Sequence, residues 1–492
     1  MTESPAGQWF LPGHERPCSG GNTVTPLVHG ATYFARLVDA VDATVAGDLV
    51  WFTDWRGDAD ERLGPDGPTV AELFIRAVRR GVDVRALLWR SHSDRTSFSA
   101  QENEQLGRRI NEAGGTALLD QRVRRGGSHH QKLVVVRHRG APERDVAFVG
   151  GIDLSHSRRD DADHAGDPQR QPMDDRYGPT PPWHDVMVEI RGPAVRDVQD
   201  TFAQRWCDPT PLDHRDPYRR VRQRRAHMPR AAPPLPPVAP PPPPAGRLDV
   251  QILRTYAAKR PPFPFAPHGE RTIARGYQHA FSLARRLIYV EDQYLWSDLV
   301  ASALAGALRR EPDLQVIAVV PRFPDDDGRA SGPPNRLGQQ SALRLLADAG
   351  GDRFAVFDLH NPAGVPVYVH AKVCVVDDVW ATCGSDNFNR RSWTHDSEVT
   401  CAVVDPDGRF AVDLRTLLWS EHLQLPRDDA RLHRIDDAVT LWRERAAGGA
   451  ARVRPHTVEP VRGISRWWAT PLYRTVFDPD GRPLSLRRRG GF

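Results

Sequence analysis

His129-His130-Gln131-Lys132-Leu133-Val134-Val135-Val136 sets a histidine and a lysine two residues apart at the head of a β-branched run. A second stretch, His370-Ala371-Lys372-Val373-Cys374-Val375-Val376-Asp377, repeats that chemistry. Side chains alternate along a strand with a period of two, so in each copy imidazole and ammonium point to the same face of one sheet. Such a pair is costly in an apolar core and well suited to an anionic phosphate. Two copies predict a duplicated domain whose halves each supply half of one site.

The text around each copy repeats as well. In the first half a helix over Tyr33–Ala46 leads to the strand Asp48–Trp55. A helix over Val70–Arg80 follows, apolar at helical spacing through Ala71, Phe74, Ile75 and Val78 and stopped by Gly81. The strand Val82–Trp89 and a helix over Gln105–Ala113, stopped by Gly114-Gly115, lead to the His130 strand. In the second half the order is helix Thr272–Ala284, strand Leu287–Tyr294, helix Leu299–Arg310, strand Leu314–Pro321, helix Gln340–Ala349 and Gly350-Gly351, then the His370 strand. Alternating strands and helices predict an α/β protein of two pseudo-repeated domains, each a mixed, mostly parallel sheet flanked by helices. The period is far too long for a solenoid.

The expected divisions are a first domain over 1–212, a basic and proline-rich linker over 213–247, a second domain over 248–430 and a C-terminal extension over 431–492. Within the linker, Pro233-Pro234-Leu235-Pro236-Pro237 and Pro240–Pro244 favour extended polyproline II and predict a plain tether. The basic run Arg219–Arg230 reads as its solvated flank. In the extension, Trp467-Trp468, Pro471, Tyr473 and Arg487–Arg489 have the composition of a lipid-interface segment, but packing of the aromatics onto a domain is the favoured expectation.

At 492 residues, two domains are the default. The 67 basic and 63 acidic residues nearly cancel, which argues against a general nucleic-acid binder and predicts no stable nucleic-acid partner. No apolar run approaches the ~18–20 residues of a membrane span, and Met1-Thr2-Glu3-Ser4-Pro5 does not read as a signal peptide. Cys18, Cys207, Cys374, Cys383 and Cys401 lack metal-type spacing, and three of them fall in or beside strand-like text as buried reduced thiols. These features favour the cytoplasm, with peripheral contact at a membrane.

Two further signatures follow each strand. The first is Phe148-Val149-Gly150-Gly151-Ile152-Asp153 against Thr382-Cys383-Gly384-Ser385-Asp386-Asn387, in which Asp153 takes the place of Asn387. Glycine allows close approach of a ligand, and small polar groups beside it can bond phosphate oxygens. The second is Trp183-His184-Asp185-Val186 against Asp396-Ser397-Glu398-Val399, which places Asp185 opposite Glu398. A carboxylate there can accept the second ring N–H of an active histidine and fix its tautomer.

At this point the chain resembles the phospholipase D superfamily, whose mark is His-x-Lys-x4-Asp followed by Gly-Gly or Gly-Ser. The second copy matches at His370, Lys372, Asp377, Gly384, Ser385 and Asn387, the first at His130, Lys132, Gly150 and Gly151, with Arg137 in place of the aspartate. The resemblance covers most of both halves. It implies two-step phosphoryl transfer through a phosphohistidine at one active site where the halves meet. His130 is then the nucleophile and His370 the general acid, and the reverse assignment stays open because either ring can be activated by its carboxylate. Asp185 becomes the orienting acid of the first stretch, with Glu398 in the equivalent place of the second. Lys132 and Lys372, with Asn387, hold the non-bridging oxygens, and Gly150, Gly151, Asp153, Asp377, Gly384 and Ser385 complete the substrate-binding set. No metal and no cofactor are called for, since the lysines bring the positive charge.

The segments Trp183–Asp185, Arg191–Ala194 and Ile288–Tyr294 look like text from the phospholipases, so the expected substrate is a glycerophospholipid met transiently at a membrane surface by a monomer. The rivals are a cardiolipin synthase-like phosphatidyltransferase, a phosphodiesterase acting on nucleic acid, and a catalytically decayed lipid- or phosphate-binding protein with Arg137 marking the decay. Asp54, Glu291 and Asp292 lie at strand ends, where a role in the site and plain solvation are equally expected. The insert Ser157–Pro182, absent from the second half, reads equally as a mobile lid over the site or as a disordered surface loop.

Overall fold

The computed structural model describes residues 7–12, 18–90, 100–212, 228–324, 332–405, 407–461 and 463–492. The N-terminal residues Met1–Ala6 and most of the basic run, 219–227, lie outside them. The first sheet is built around Leu49–Asp54. On one side it pairs in parallel with Asp83–Trp89, which pairs in parallel with Thr116–Asp120. On the other, Leu133–Arg137, Val146–Gly150, Val186–Arg191 and Cys18–Val28 follow in antiparallel register. The second sheet repeats this arrangement. Leu287–Asp292, Gln315–Val319 and Phe354–His360 run parallel, and Lys372–Val376, Trp380–Gly384, Glu398–Val404 and Leu248–Tyr256 run antiparallel. Helical crossovers enforce the parallel part, and short turns reverse the chain in the rest.

The two sheets pack face to face. Alternate residues of each strand divide between two environments: Trp51, Val135 and Val149 join Tyr289, Val373, Val375 and Val399 in one shared core. Their neighbours Val50, Phe52, Val134 and Val136 pack under the helices of the first half, and Ile288, Val290, Cys374 and Val376 under those of the second. Each such side chain contributes about 1.5–3 kcal/mol when buried, so the shared core binds the halves firmly. The edge strands add a main-chain seam, in which Cys18, Ser19 and Asn22 pair with Gln251, Val250 and Leu248.

The proline-rich segment departs from a plain tether. Polyproline II leaves its carbonyls without internal donors, and here the body of the protein supplies them. Pro233 O accepts from Trp206 Nε1 at 2.7 Å, Pro234 O from Arg85 at 2.8 Å, Ala239 O from Arg196 at 2.8 Å and Pro240 O from Arg137 at 2.6 Å. The chain beyond 430 also belongs to the body: Val453–Pro455 adds to the second sheet beside Phe357–Leu359, and Trp442 lies in the shared core. Tyr473 packs as expected, its hydroxyl donating to Trp296 O at 2.6 Å, but Trp467 stands 86% exposed.

Asp377 corrects the expected substrate-binding set. It lies just beyond the strand end, roughly 16 Å along the chain from Lys372 at 3.3 Å per residue. Its carboxylate accepts the main-chain N–H groups of Arg285, Arg286 and Leu287 at 2.7–2.9 Å, latching one strand start to the adjoining turn. Asp377 and Asp378 both take left-handed backbone (φ 52° and 60°), a conformation aspartate tolerates better than most residues. In the first half the latch is inverted. Asp48, at the start of the facing strand, meets His138 Nδ1 and accepts the Arg139 N–H, both at 2.9 Å. Arg137 is then free to pair with Asp145 at 2.6 Å. Its presence marks a latch rebuilt from the other side.

Asp377→Ala is therefore expected to lower the urea unfolding midpoint by the equivalent of about 1–3 kcal/mol, leaving the ring resonances of His130 and His370 in place. Unchanged stability with shifted His370 resonances would return Asp377 to the site.

Candidate functional site

The segment leading into each histidine is zipped to the strand that carries the other half's acid. His130 N donates to Ser397 O at 3.0 Å, one residue before Glu398. Tyr368 and Val369 pair in parallel with Trp183 and His184, and His370 N donates to His184 O at 2.8 Å, one residue before Asp185. This register sets His130 Nδ1 2.9 Å from Glu398 Oε2 and His370 Nδ1 2.7 Å from Asp185 Oδ2. The expected pairing of Asp185 with the first stretch is thus overturned. Each histidine takes its carboxylate from the opposite half.

Several residues expected to contact substrate support these acids instead. Ser385 Oγ donates to Glu398 Oε2 at 2.5 Å and accepts the Val399 N–H, which commits the hydroxyl to the carboxylate. A Cβ at Gly151 would collide with the Asp185 carboxylate, and its N–H is already given to Val186 O. Gly150 and Gly384 make room for Met187 and Thr400. Asp153 lies 3.2 Å from Lys132 Nζ, so it holds the lysine and, as an anion, would repel a phosphate. Lys372 Nζ lies 3.4 Å from Gln293 Oε1 and donates to the His370 carbonyl. Among the described residues the buried Asn387 Oδ1 has no partner; as an acceptor it cannot bond a phosphate oxygen, a task only the side-chain NH₂ could take.

The strand ends Asp54 and Asp292 have matching tasks: each bonds the turn after its own residue and, across the sheet, the N–H of Leu154 or Phe388 just past the glycine signatures. Arg158 was not foreseen. It is buried beside Asp153 at 3.4 Å, with its guanidinium 3.9 Å over the Trp183 ring, and its charge bears on both His370 and Asp185. The insert that carries it is packed: His164 and Asp167 are buried, and Tyr177 donates to Phe323 O at 2.7 Å. This excludes the disordered loop. No sequence pattern marks Arg158, because the second half has no counterpart.

Burial and the flanking cations Lys132 and Lys372 push both imidazoles well below the usual histidine range. Burial raises Asp185 to about 6 even against Lys372. It raises Glu398 further, to about 8, with Asp396 adding to the effect. Lys372 is lowered to about 8 by burial. Asp54 is driven well up by burial and by Asp153. Asp153 itself is held low, because Lys132 and Arg158 outweigh its own burial. Between about 6 and about 8 the His370–Asp185 pair has given up its additional proton while the His130–Glu398 pair retains one. One unit is ready to accept a proton and the other to donate one, beside two ammonium groups and a guanidinium. That combination suits substitution at an anionic phosphorus centre.

A family model for phospholipase D matches residues 46–224, and one for cardiolipin synthase, PLD-like domain, matches residues 278–419. The chain is 27% identical to phospholipase D alpha 1 of Vigna unguiculata, over 95% of this chain and 75% of that protein. It is 26% identical to phospholipase D alpha 2 of Oryza sativa subsp. japonica, over 82% and 66%. Among solved structures, phosphatidylserine synthase from Haemophilus influenzae Rd KW20 superposes with a TM-score of 0.53 at 13% identity, covering 87% of this chain and 93% of that one, a likeness of fold.

The crossed pairing has a direct spectroscopic consequence. In ¹⁵N NMR of the histidine rings, Asp185→Asn is expected to move the His370 signals and Glu398→Gln those of His130. The opposite assignment would restore pairing within halves.

Proposed function

The chain belongs to the phospholipase D superfamily, and from that premise we propose that it cleaves the phosphodiester of glycerophospholipids in two steps through a phosphohistidine. The observation that carries this reading is the pair of crossed histidine–carboxylate contacts at 2.9 and 2.7 Å. One imidazole attacks phosphorus while the other protonates the departing alcohol oxygen. In the second step the latter ring takes a proton from water, or from an acceptor alcohol, whose oxygen displaces the first ring. Lys132 and Lys372, with Asn387, lie on the non-bridging oxygens and offset the charge that grows in the transition state.

By resemblance His130 is the nucleophile. The proton distribution in the free site favours the reverse, since the additional proton sits with His130–Glu398 and attack from His130 requires its release first. Rapid quenching and peptide mapping of the phosphorylated ring decides between them.

Lipid is favoured as substrate class by the plant phospholipase relatives and by exposed apolar side chains on the C-terminal segment. Trp467, Val476 and Leu484 are exposed there, close in sequence to exposed Arg487, Arg488 and Arg489. Apolar side chains with flanking arginines suit the interface of an anionic bilayer. No helix among the described residues is long and apolar enough to cross a membrane. The second reading, phosphatidyl transfer to a lipid alcohol, is favoured by the cardiolipin synthase match over residues 278–419. Transfer and hydrolysis differ only in which acceptor reaches the phosphohistidine. A nucleic-acid substrate is disfavoured by the balanced charge, 67 basic against 63 acidic residues. The intact His130, Lys132, His370 and Lys372 weigh against a decayed binding protein.

Choline release from phosphatidylcholine vesicles is expected to fall at least roughly 10³-fold in both His130→Asn and His370→Asn. Wild type no faster than these variants, on lipid and on bis-p-nitrophenyl phosphate alike, would end the enzyme reading. Adding a primary alcohol should divert product to the phosphatidyl ester in proportion to transfer.

The pH profile of kcat/KM should be bell-shaped. Protonation of the Asp185 unit removes activity below about 6, and loss of the proton held at the Glu398 unit removes it above about 8. Glu398→Gln, which cannot hold that proton, should lower kcat/KM across the range and leave only the alkaline limb of Lys372, also near 8. A profile flat from pH 5 to 9 would contradict the acid–base division.

A further inference from the structure

Behind the His370–Asp185 pair, histidines and carboxylates from distant parts of the chain converge in the interior. His29 precedes the helix Gly30–Asp42, His164 lies in the insert, His184 adjoins Asp185, and Glu421 and His422 sit near the end of the helix Phe410–Leu423. One ligand atom from each of His29, His164, His184 and Glu421 lies within 4.8 Å of the others. All three rings are buried, and their centroids are 4.8–6.0 Å apart. Glu421 lies between two of them, Oε2 at 2.8 Å from His29 Nε2 and Oε1 at 3.0 Å from His164 Nε2. Arg452 Nη1 is 3.5 Å from Oε1.

The outer contacts point to a ligand. His184 Nε2 is 2.6 Å from Glu291 Oε2, and Glu291 is itself held by His422 at 2.8 Å and by the Tyr289 hydroxyl at 2.5 Å. His164 Nδ1 faces Asp160 at 3.5 Å. A carboxylate on the far ring nitrogen is what fixes the tautomer and orientation of a metal-bound imidazole. Among the described residues, the buried Nδ1 of His184, the ring nitrogen turned away from Glu291, has no hydrogen-bond partner; His29 faces Glu421 through Nε2. His29 and His164 also both hold left-handed backbone (φ 67° and 53°), uncommon outside glycine and concentrated where function demands it.

We propose that His29, His164, His184 and Glu421 bind one divalent transition-metal ion, with zinc the best match for three imidazoles and a carboxylate. Four protein ligands close the coordination shell, so the site is structural. Bonds of about 2.0–2.1 Å place tetrahedral ligands roughly 3.4 Å apart, so the pairs at 2.8 and 3.0 Å would open and the wider ones, at up to 4.8 Å, would close. The ion would pin the insert that carries Arg158 and the helix Phe410–Leu423 to His184, whose carbonyl accepts the His370 N–H. It takes no part in the phosphorus chemistry.

The test is metal analysis of the full chain, purified without a histidine tag and dialysed. The expected result is about one zinc per chain, and cobalt loaded in its place should give the intense visible d–d bands of a four-coordinate site. His29→Gln and His164→Gln should each retain less than about a tenth of the wild-type metal, with the far-ultraviolet circular dichroism unchanged. If these variants fail to fold, chelator extraction of wild type followed by zinc titration, read as a rise in Tm, gives the same answer. Wild type that neither carries nor takes up zinc or cobalt would reduce the cluster to a hydrogen-bonded network. Metal retained in both variants would place the ion elsewhere. Either result overturns the proposal, and neither depends on the substrate.

Discussion

Neither histidine is oriented by its own half. The crossed contacts, His130 to Glu398 and His370 to Asp185, require the two sheets to keep their mutual register to within a fraction of an ångström, since a hydrogen bond weakens steeply with distance and angle. Much else follows from that demand. The apolar faces of both sheets are spent on one shared core, the edge strands are sewn together at Cys18–Asn22, and the proline-rich segment is bound along its length by arginines and a tryptophan. A half standing alone would have a histidine with no acid and an acid with no histidine.

Assembling lysines, an arginine, histidines and carboxylates in a buried interface is costly, because each charge loses its water and the mutual attraction must replace it. Here the replacement is paired. Asp153 lies between Lys132 and Arg158, Lys372 rests on Gln293 and a main-chain carbonyl, and Glu398 keeps its proton up to about 8. The neutral form of Glu398 and the suppressed ionisation of both imidazoles reduce the buried charge that must be matched. An arriving phosphodiester supplies a countercharge to the lysines, and binding energy of that kind grows as negative charge builds on the phosphoryl oxygens.

The sequence made the repeat legible because its signals are local. Valine runs, helical spacing and the Gly-Gly stops at 114–115 and 350–351 appear in the same order in both halves, and the structure places strands and helices there. What it left out is what lies between elements. Setting the halves side by side shows that Asp185 and Glu398 are equivalent, but equivalence under a two-fold says nothing of which copy meets which histidine. Asp377 is grouped with the ligands by its place in the motif, although the family's motif aspartate is mainly structural, and its bonds to the Arg285–Leu287 turn give it that structural role. Arg158 and the histidine cluster carry no pattern at all, since their members are brought together from positions as far apart as His29 and His422 by the fold alone.

The two-fold is broken chemically where it matters. The latch at the strand ends is inverted, Asp153 stands where the other half has Asn387, the insert brings Arg158 to one side only, and one orienting acid is an aspartate while the other is a glutamate held by Ser385. Two identical half-sites would share a proton symmetrically, with nothing to decide which ring accepts and which donates. Burial raises both acids, but Lys372 and Arg158 hold Asp185 to about 6 whereas Asp396 adds to burial at Glu398, which reaches about 8. Duplication supplied two of every part. Divergence gave them different proton affinities, and in the proposed reaction the division of labour between the histidines rests on that difference.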